Sequence, residues 1–97
     1  MVEIIKIIEA TARQFGMPSN LICDYKNRTR EVSYARHLAM YLSRHLTFKS
    51  HFVVSQELGC NRSAVTYACQ QIEKALNNDR TKADISSITK RLKPPGG

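Results

Sequence analysis

The sequence predicts an all-α domain built around a helix-turn-helix, and three observations carry that prediction. Apolar residues recur at spacings of three and four along most of the chain, the period of amphipathic helices. No run alternates apolar and polar residues as a half-buried strand does, and there is no internal repeat or long linker. The segment from His51 to Ala68 carries the small, glycine and apolar positions of two short helices joined by a tight turn. With 97 residues, 42% hydrophobic and 24% charged, and only four Gly and three Pro, the chain has room for one small globular fold with one modest core. A multidomain enzyme and a disordered tail are both excluded.

Ile4, Ile8, Ala12 and Phe15 share one face of a first helix; Ile5 and Ile7 widen that stripe, and Gly16 and Pro18 close it. Ser19 reads as the N-cap of a brief helix holding Leu21 and Ile22. The basic run Lys26-Asn27-Arg28-Thr29-Arg30 has no periodicity and is placed in a loop. Thr29 or Ser33 then caps a long helix whose stripe, Val32, Ala35, Ala39, Leu42 and Leu46, is the clearest in the chain. Its other faces carry Arg36, His37, Arg44 and His45, so a cationic exterior is expected. Ile72 and Leu76 extend a helix begun near Ser63, and Ile85, Ile88 and Leu92 mark a last one beyond Asn77-Asn78-Asp79. Residues 1–93 are expected to form a single helix-turn-helix domain, with 94–97 a flexible tail or linker.

Charge is uneven along the chain. The formal charge is +7; residues 1–25 contribute −1, residues 26–62 contribute +5 from seven basic and two acidic residues, and the remainder contributes +3. A polyanion such as nucleic acid would dock on the middle third; the competing interpretation is a solvated basic face. An odd set of three cysteines, Cys23, Cys60 and Cys69, and no signal-peptide pattern suggest a cytoplasmic protein in a reducing compartment. Cys60 and Cys69 sit where small helix residues pack. No apolar run approaches the roughly 20 residues that cross a bilayer. His37, His45 and His51 have no ligand spacing, so no metal or other cofactor is expected. Without a nucleophile elbow or phosphate-cradling Gly-rich loop, no enzymatic activity is expected either.

Within the helix-turn-helix, Ser55 is the small residue where two helices cross, and Gly59 supplies positive φ in the turn. Val54, Leu58, Val65 and Ala68 form the inner faces. Arg62, Ser63, Thr66 and Tyr67 then fall at the start and outer side of the second helix, where base edges are met. An ordinary helical hairpin ended by a glycine cap is the alternative. Tyr34, Tyr41 and Tyr67 either stack on sugar or cap the core.

The stretch Ala35-Arg36-His37-Leu38-Ala39-Met40-Tyr41-Leu42-Ser43-Arg44-His45-Leu46-Thr47, followed by Ser50 and by Gly59 to Ala68, resembles the C-terminal DNA-binding domain of the bacterial replication initiator DnaA. The likeness runs from about Glu3 to Leu92 in helix order and loop lengths. It implies a Trp repressor-like helical bundle whose helix-turn-helix reads the major groove while an arginine of the preceding loop enters the minor groove. Arg28 falls on that arginine, and Arg44 on a phosphate-contacting position. The family signature Gly-Arg-Asp-His-Ser/Thr-Thr-Val-x-His-Ala is here Gly59-Cys60-Asn61-Arg62-Ser63-Ala64-Val65-Thr66-Tyr67-Ala68. Its Arg, Asp, first His, second Thr and second His are all replaced. Asn and Arg can each make bidentate contacts to purine edges, so an altered readout is expected in place of the family's standard site. With no ATPase motif in this sequence, it is not expected to act as an initiator by itself.

Taken together, the candidate DNA-binding residues are Lys26, Arg28, Arg30, Arg44, Lys49, Asn61, Arg62, Ser63, Thr66 and Tyr67. The expected partner is double-stranded DNA, the expected role regulation of replication or transcription by site occupancy. The alternative is an adaptor that uses the same fold to bind a protein such as the initiator or another regulatory protein.

Overall fold

Six helices make up the computed structural model, which describes residues 2–92: α1 (Ile4–Gln14), α2 (Ser19–Ile22), α3 (Arg30–Thr47), α4 (His51–Leu58), α5 (Arg62–Ala75) and α6 (Asp79–Leu92). The expected tail at 94–97 lies outside the described residues. Among the described residues there is no strand, which agrees with the absence of period-two patterning.

The long helix α3 is the centre of the fold because its apolar residues occupy two faces. Ala35, Ala39 and Met40 join Ile4, Ile8 and Ala12 of α1, Ile22 of α2, Val54 and Leu58 of α4, and Val65, Ala68 and Cys69 of α5 in one cluster. Leu38 and Leu42 turn the other way, onto Ile7 and Ala10 of α1, Ile72 of α5 and Ile88 of α6. The first cluster seats the helix-turn-helix, and the second clamps α6 against the opposite side. Small alanines on α3 let α5 approach closely, so the recognition-type helix is fixed by backbone proximity as well as by side-chain fit.

Several expectations change on contact with the structure. Ile5 does not widen the buried stripe of α1; it is 52% exposed, because the face toward the core is completed by Ile7 and Ala10. Ser19 is the first residue of α2, and Pro18, with extended backbone, holds the cap position without a side-chain bond. Thr29 is the cap of α3, its Oγ1 accepting the Val32 N–H. Tyr34 and Tyr41 cover the core, Tyr34 meeting Phe15 edge to face at 5.6 Å, whereas Tyr67 is exposed. Cys23 and Cys60 are half-buried and Cys69 is buried, all three packing as apolar residues in the first cluster.

The largest correction concerns Arg36. It was expected on a cationic exterior and is buried. Its guanidinium donates to the carbonyls of Ile22 (2.7 Å), Asp24 and Asn27 (3.1 Å), and lies 4.5 Å from the Tyr25 ring centroid. Three acceptors and an aromatic face replace the water that a buried cation loses. His37, expected on the same exterior, is half-buried and meets Tyr67 edge to face at 5.7 Å. The surface charge of the middle third is therefore smaller than the sequence sum by one arginine.

Candidate nucleic-acid interface

The turn between α4 and α5 is set by two local devices. Gly59 ends α4 with φ 72°, a left-handed conformation that costs a residue with Cβ about 1–2 kcal/mol. Ser55 is buried at the crossing, and its hydroxyl donates to the Phe52 carbonyl at 2.6 Å, so that hydroxyl is satisfied without water. At the other end Asn61 caps α5, its Oδ1 accepting the Ala64 N–H at 2.9 Å. That bond uses one of the two lone pairs on the carbonyl oxygen of Asn61 and folds the side chain back over its own helix. Swinging both amide atoms outward for a bidentate purine contact would therefore cost the helix its cap.

Beyond the cap, Arg62, Ser63, Thr66 and Tyr67 lie on one side of α5, with Gln70 one turn further on. Together with His51 from the start of α4 they line an open cleft of about 430 Å³. Arg62 and Ser63 are exposed, Thr66 is half-buried and Tyr67 is 55% exposed. The edge contact with His37 of α3 fixes the Tyr67 ring while leaving much of it open to solvent. His51 Nδ1 and Thr66 Oγ1 are 2.9 Å apart and bridge α4 to α5 across the cleft floor. Burial, reinforced by the nearby Arg44 charge, holds His51 below its ordinary value of 6.5. Burial, with Arg36 second, does the same to His37.

The basic loop before α3 is ordered by its own side chains. Asp24 Oδ1 accepts the Lys26 N–H at 3.0 Å, and Asn27 Oδ1 accepts both the N–H and the hydroxyl of Thr29. Arg36 ties the loop carbonyls to α3 from beneath. Lys26, Arg28 and Arg30 are left exposed above that scaffold. At the loop's root, Cys23 and Tyr25 pack on the same core cluster as Cys60 and Ala64 of the helix-turn-helix. The loop and the start of α5 are thus built on one foundation.

Arg44 and Lys49 belong to a third element, the junction of α3 and α4. Arg44 donates to the Lys49 carbonyl, Thr47 Oγ1 accepts the Lys49 N–H at 3.2 Å, and Phe48 turns the chain with φ 60°. Lys49 stands exposed beside the Ser50 cap of α4.

His51, His37, Gln70 and Arg36 were not among the expected site residues. Arg36 had a signal, since it lies four residues after Val32 and so on the buried stripe. The His51–Thr66 pair had none, because it joins two helices whose relative placement only the folded core decides.

The arrangement from α1 into α5 matches a known family model. Residues 4–72 fit the bacterial dnaA protein helix-turn-helix. The chain belongs to that family. Among its relatives, the chromosomal replication initiator protein DnaA of Tropheryma whipplei (strain Twist) is 35% identical over 86 residues, 88% of this chain and 18% of the relative. That of Thermodesulfovibrio yellowstonii is 39% identical over 69 residues, covering 69% of this chain and 16% of the relative. That of Lachnoclostridium phytofermentans is 33% identical over 91 residues, covering 91% and 20%. The chain spans a fifth or less of the length of these curated relatives. The family match covers α1 to Ile72, near the end of α5; Arg62, Ser63, Thr66 and Tyr67 all fall inside it. Among the described residues no helix is long and apolar enough to cross a membrane.

Proposed function

We propose that this domain binds double-stranded DNA, placing the start of α5 in the major groove and the loop carrying Lys26, Arg28 and Arg30 against the adjacent minor groove. The observation that carries this reading is the common foundation of those two elements: the loop's root and the helix-turn-helix turn pack on one core cluster, so both exposed basic surfaces are held in fixed relation. Membership of the DnaA helix-turn-helix family supports the same assignment. In this reading Arg62, Ser63, Thr66 and Tyr67 face base edges, Arg28 enters the minor groove, and Lys26, Arg30, Arg44 and Lys49 meet phosphates. Asn61 contributes through its amide and through the cap that aims the helix. The domain acts on replication or transcription by occupying its sites.

The test is a salt titration of duplex binding. Each phosphate neutralised releases counterions, so log affinity should fall linearly with log salt at about −0.9 per contact. Four such contacts would give a slope of about −3.6. A folded sample that binds no duplex at low salt would overturn the reading. That outcome would favour the protein-binding adaptor, for which the exposed Phe48 (87%), Phe52 (52%) and Val53 (37%) at the α3–α4 junction offer an apolar surface.

A further inference from the structure

The hydroxyl of Thr66 is held differently from those of three other threonines inside these helices, although Thr81 too meets a side chain, the Tyr34 hydroxyl at 3.2 Å. Thr11, Thr47 and Thr89 each donate to the carbonyl four residues earlier, to Ile7, Ser43 and Ile85 respectively. That bond hides the hydroxyl in the helix. Thr66 instead pairs with His51 Nδ1 across the cleft at 2.9 Å. His51 is pinned as the first residue of α4 by the Ser50 cap, so the pair joins the two helices of the motif. We propose that His51 is the positioning residue for Thr66 and that its protonation state sets which base edge Thr66 can read. The inference rests on the DNA-binding reading above.

The chemistry follows from the two partners. Neutral His51 with its proton on Nε2 offers Nδ1 as an acceptor, the role the i−4 carbonyl plays for Thr11, Thr47 and Thr89. Thr66 then spends its only proton on His51. Toward the groove it presents oxygen lone pairs, which match the donor edges of cytosine N4 or adenine N6. When His51 takes up a proton, Nδ1–H becomes the donor and Thr66 Oγ1 the acceptor. The freed hydroxyl proton can then be given to guanine O6 or N7, or to thymine O4. One proton on α4 thereby reverses the hydrogen-bond sense of a residue on α5. The groups around His51 are Arg44 from α3 and, from α5, Arg62 and the neutral Ser63, Thr66, Tyr67 and Gln70. None of the residues lining the cleft is a carboxylate, so no fixed anion holds the imidazolium in the free protein. DNA phosphates supply that anion on binding, which makes proton uptake a property of the complex.

The experiment selects a preferred duplex from a random pool at about pH 8, then measures affinity for it and for duplexes changed at single base pairs, at about pH 8 and about pH 5.5 on either side of the ordinary histidine value. The readout is the ratio of affinities between duplexes. Protonation of His37 beside Tyr67 would act at the base pair that Tyr67 meets, so the ratio is read at the base pair whose discrimination Thr66→Val removes. For the wild-type chain the ratio at one base pair should change about threefold to tenfold between the two pH values, the scale of one exchanged hydrogen bond. His51→Asn keeps an acceptor near the Nδ1 position without titrating, and should hold the ratio at its high-pH value throughout. Thr66→Val should remove discrimination at that base pair at both pH values, and serves also if the Asn variant folds poorly. A wild-type ratio independent of pH, or a His51→Asn chain that still shifts, overturns the inference while leaving DNA binding intact. Absence of duplex binding at both pH values overturns the DNA reading itself, and this inference with it.

Discussion

A single arginine illustrates how far a residue's role depends on its address. Arg36 is charged and helical, yet its guanidinium is the bolt that joins α3 to the carbonyls of Ile22, Asp24 and Asn27. Replacing it by Met keeps much of the volume but leaves those acceptors without their donor. Arg36→Met should cost at least about 1.5–3 kcal/mol, the worth of a hydrogen bond to a charged group, read as a lower denaturation midpoint. Amide exchange should accelerate in residues 23–29 first, because the bolt holds that loop. Arg62, by contrast, is exposed and faces the cleft, so its loss should spare stability and alter recognition. Arg62→Ala should cost about 1–3 kcal/mol on the preferred duplex and relax preference at one base pair. Arg28→Ala should relax preference in the neighbouring minor-groove half, which distinguishes A·T from G·C and senses groove width. If Arg62→Ala weakens every sequence equally, Arg62 is a phosphate contact. The helical stripes of Val32, Ala35, Ala39 and Leu42 were legible in the sequence because burial enforces their period. Arg36 was missed since its charge was weighed above its spacing from Val32.

Among the elements, α5 carries most of the proposed recognition, and its first residues must serve both the helix and the ligand. Asn61 shows the conflict, because the bond its oxygen accepts from Ala64 turns the side chain toward the helix it caps. This was not legible from sequence: Asn before a helix reads equally well as a cap or as a base reader, and only the 2.9 Å bond to Ala64 decides. The two roles separate in one variant. Asn61→Asp retains a capping oxygen and adds an anion at the positive end of the helix, so thermal stability should hold or rise, by about 0.3–1 kcal/mol. The same anion stands beside Arg62 and, if the proposed docking holds, near the phosphates, so duplex affinity should fall for all sequences, most steeply at low salt. A variant with unchanged affinity across salt concentrations would place Asn61 away from the DNA. The helix-turn-helix itself was legible, since Ser55, Gly59 and the apolar set at Val54, Leu58, Val65 and Ala68 satisfy requirements that backbone geometry imposes. The cross-helix partners of Thr66 and Tyr67 were not. They depend on how α3 and α4 are placed against α5, and no local pattern encodes that.

For the molecule as a whole, the histidines link folding to pH in a sense opposite to their effect on DNA. His37 and His51 are both held below the ordinary value of 6.5, His37 by burial and Arg36, His51 by burial and Arg44. A group whose pKa is lowered on folding binds more protons unfolded than folded. Stability therefore rises with pH across the window between the folded and unfolded values. The stabilisation tied to these neutral imidazoles is complete above about 6.5 and is lost as pH falls through the folded values. The denaturation midpoint of the free domain should accordingly decline below about pH 6.5, and less so in a His37→Asn variant, which has one imidazole fewer to protonate. Polyanion binding reverses the sign for groups at the interface, since phosphates beside His51 favour the charged form that Arg44 opposes. Bound to duplex, the domain should lose less stability over the same pH range than it does free. Equal pH dependence in the free and bound states would mean that no histidine lies near the phosphates, and would move the DNA away from the cleft between α4 and α5.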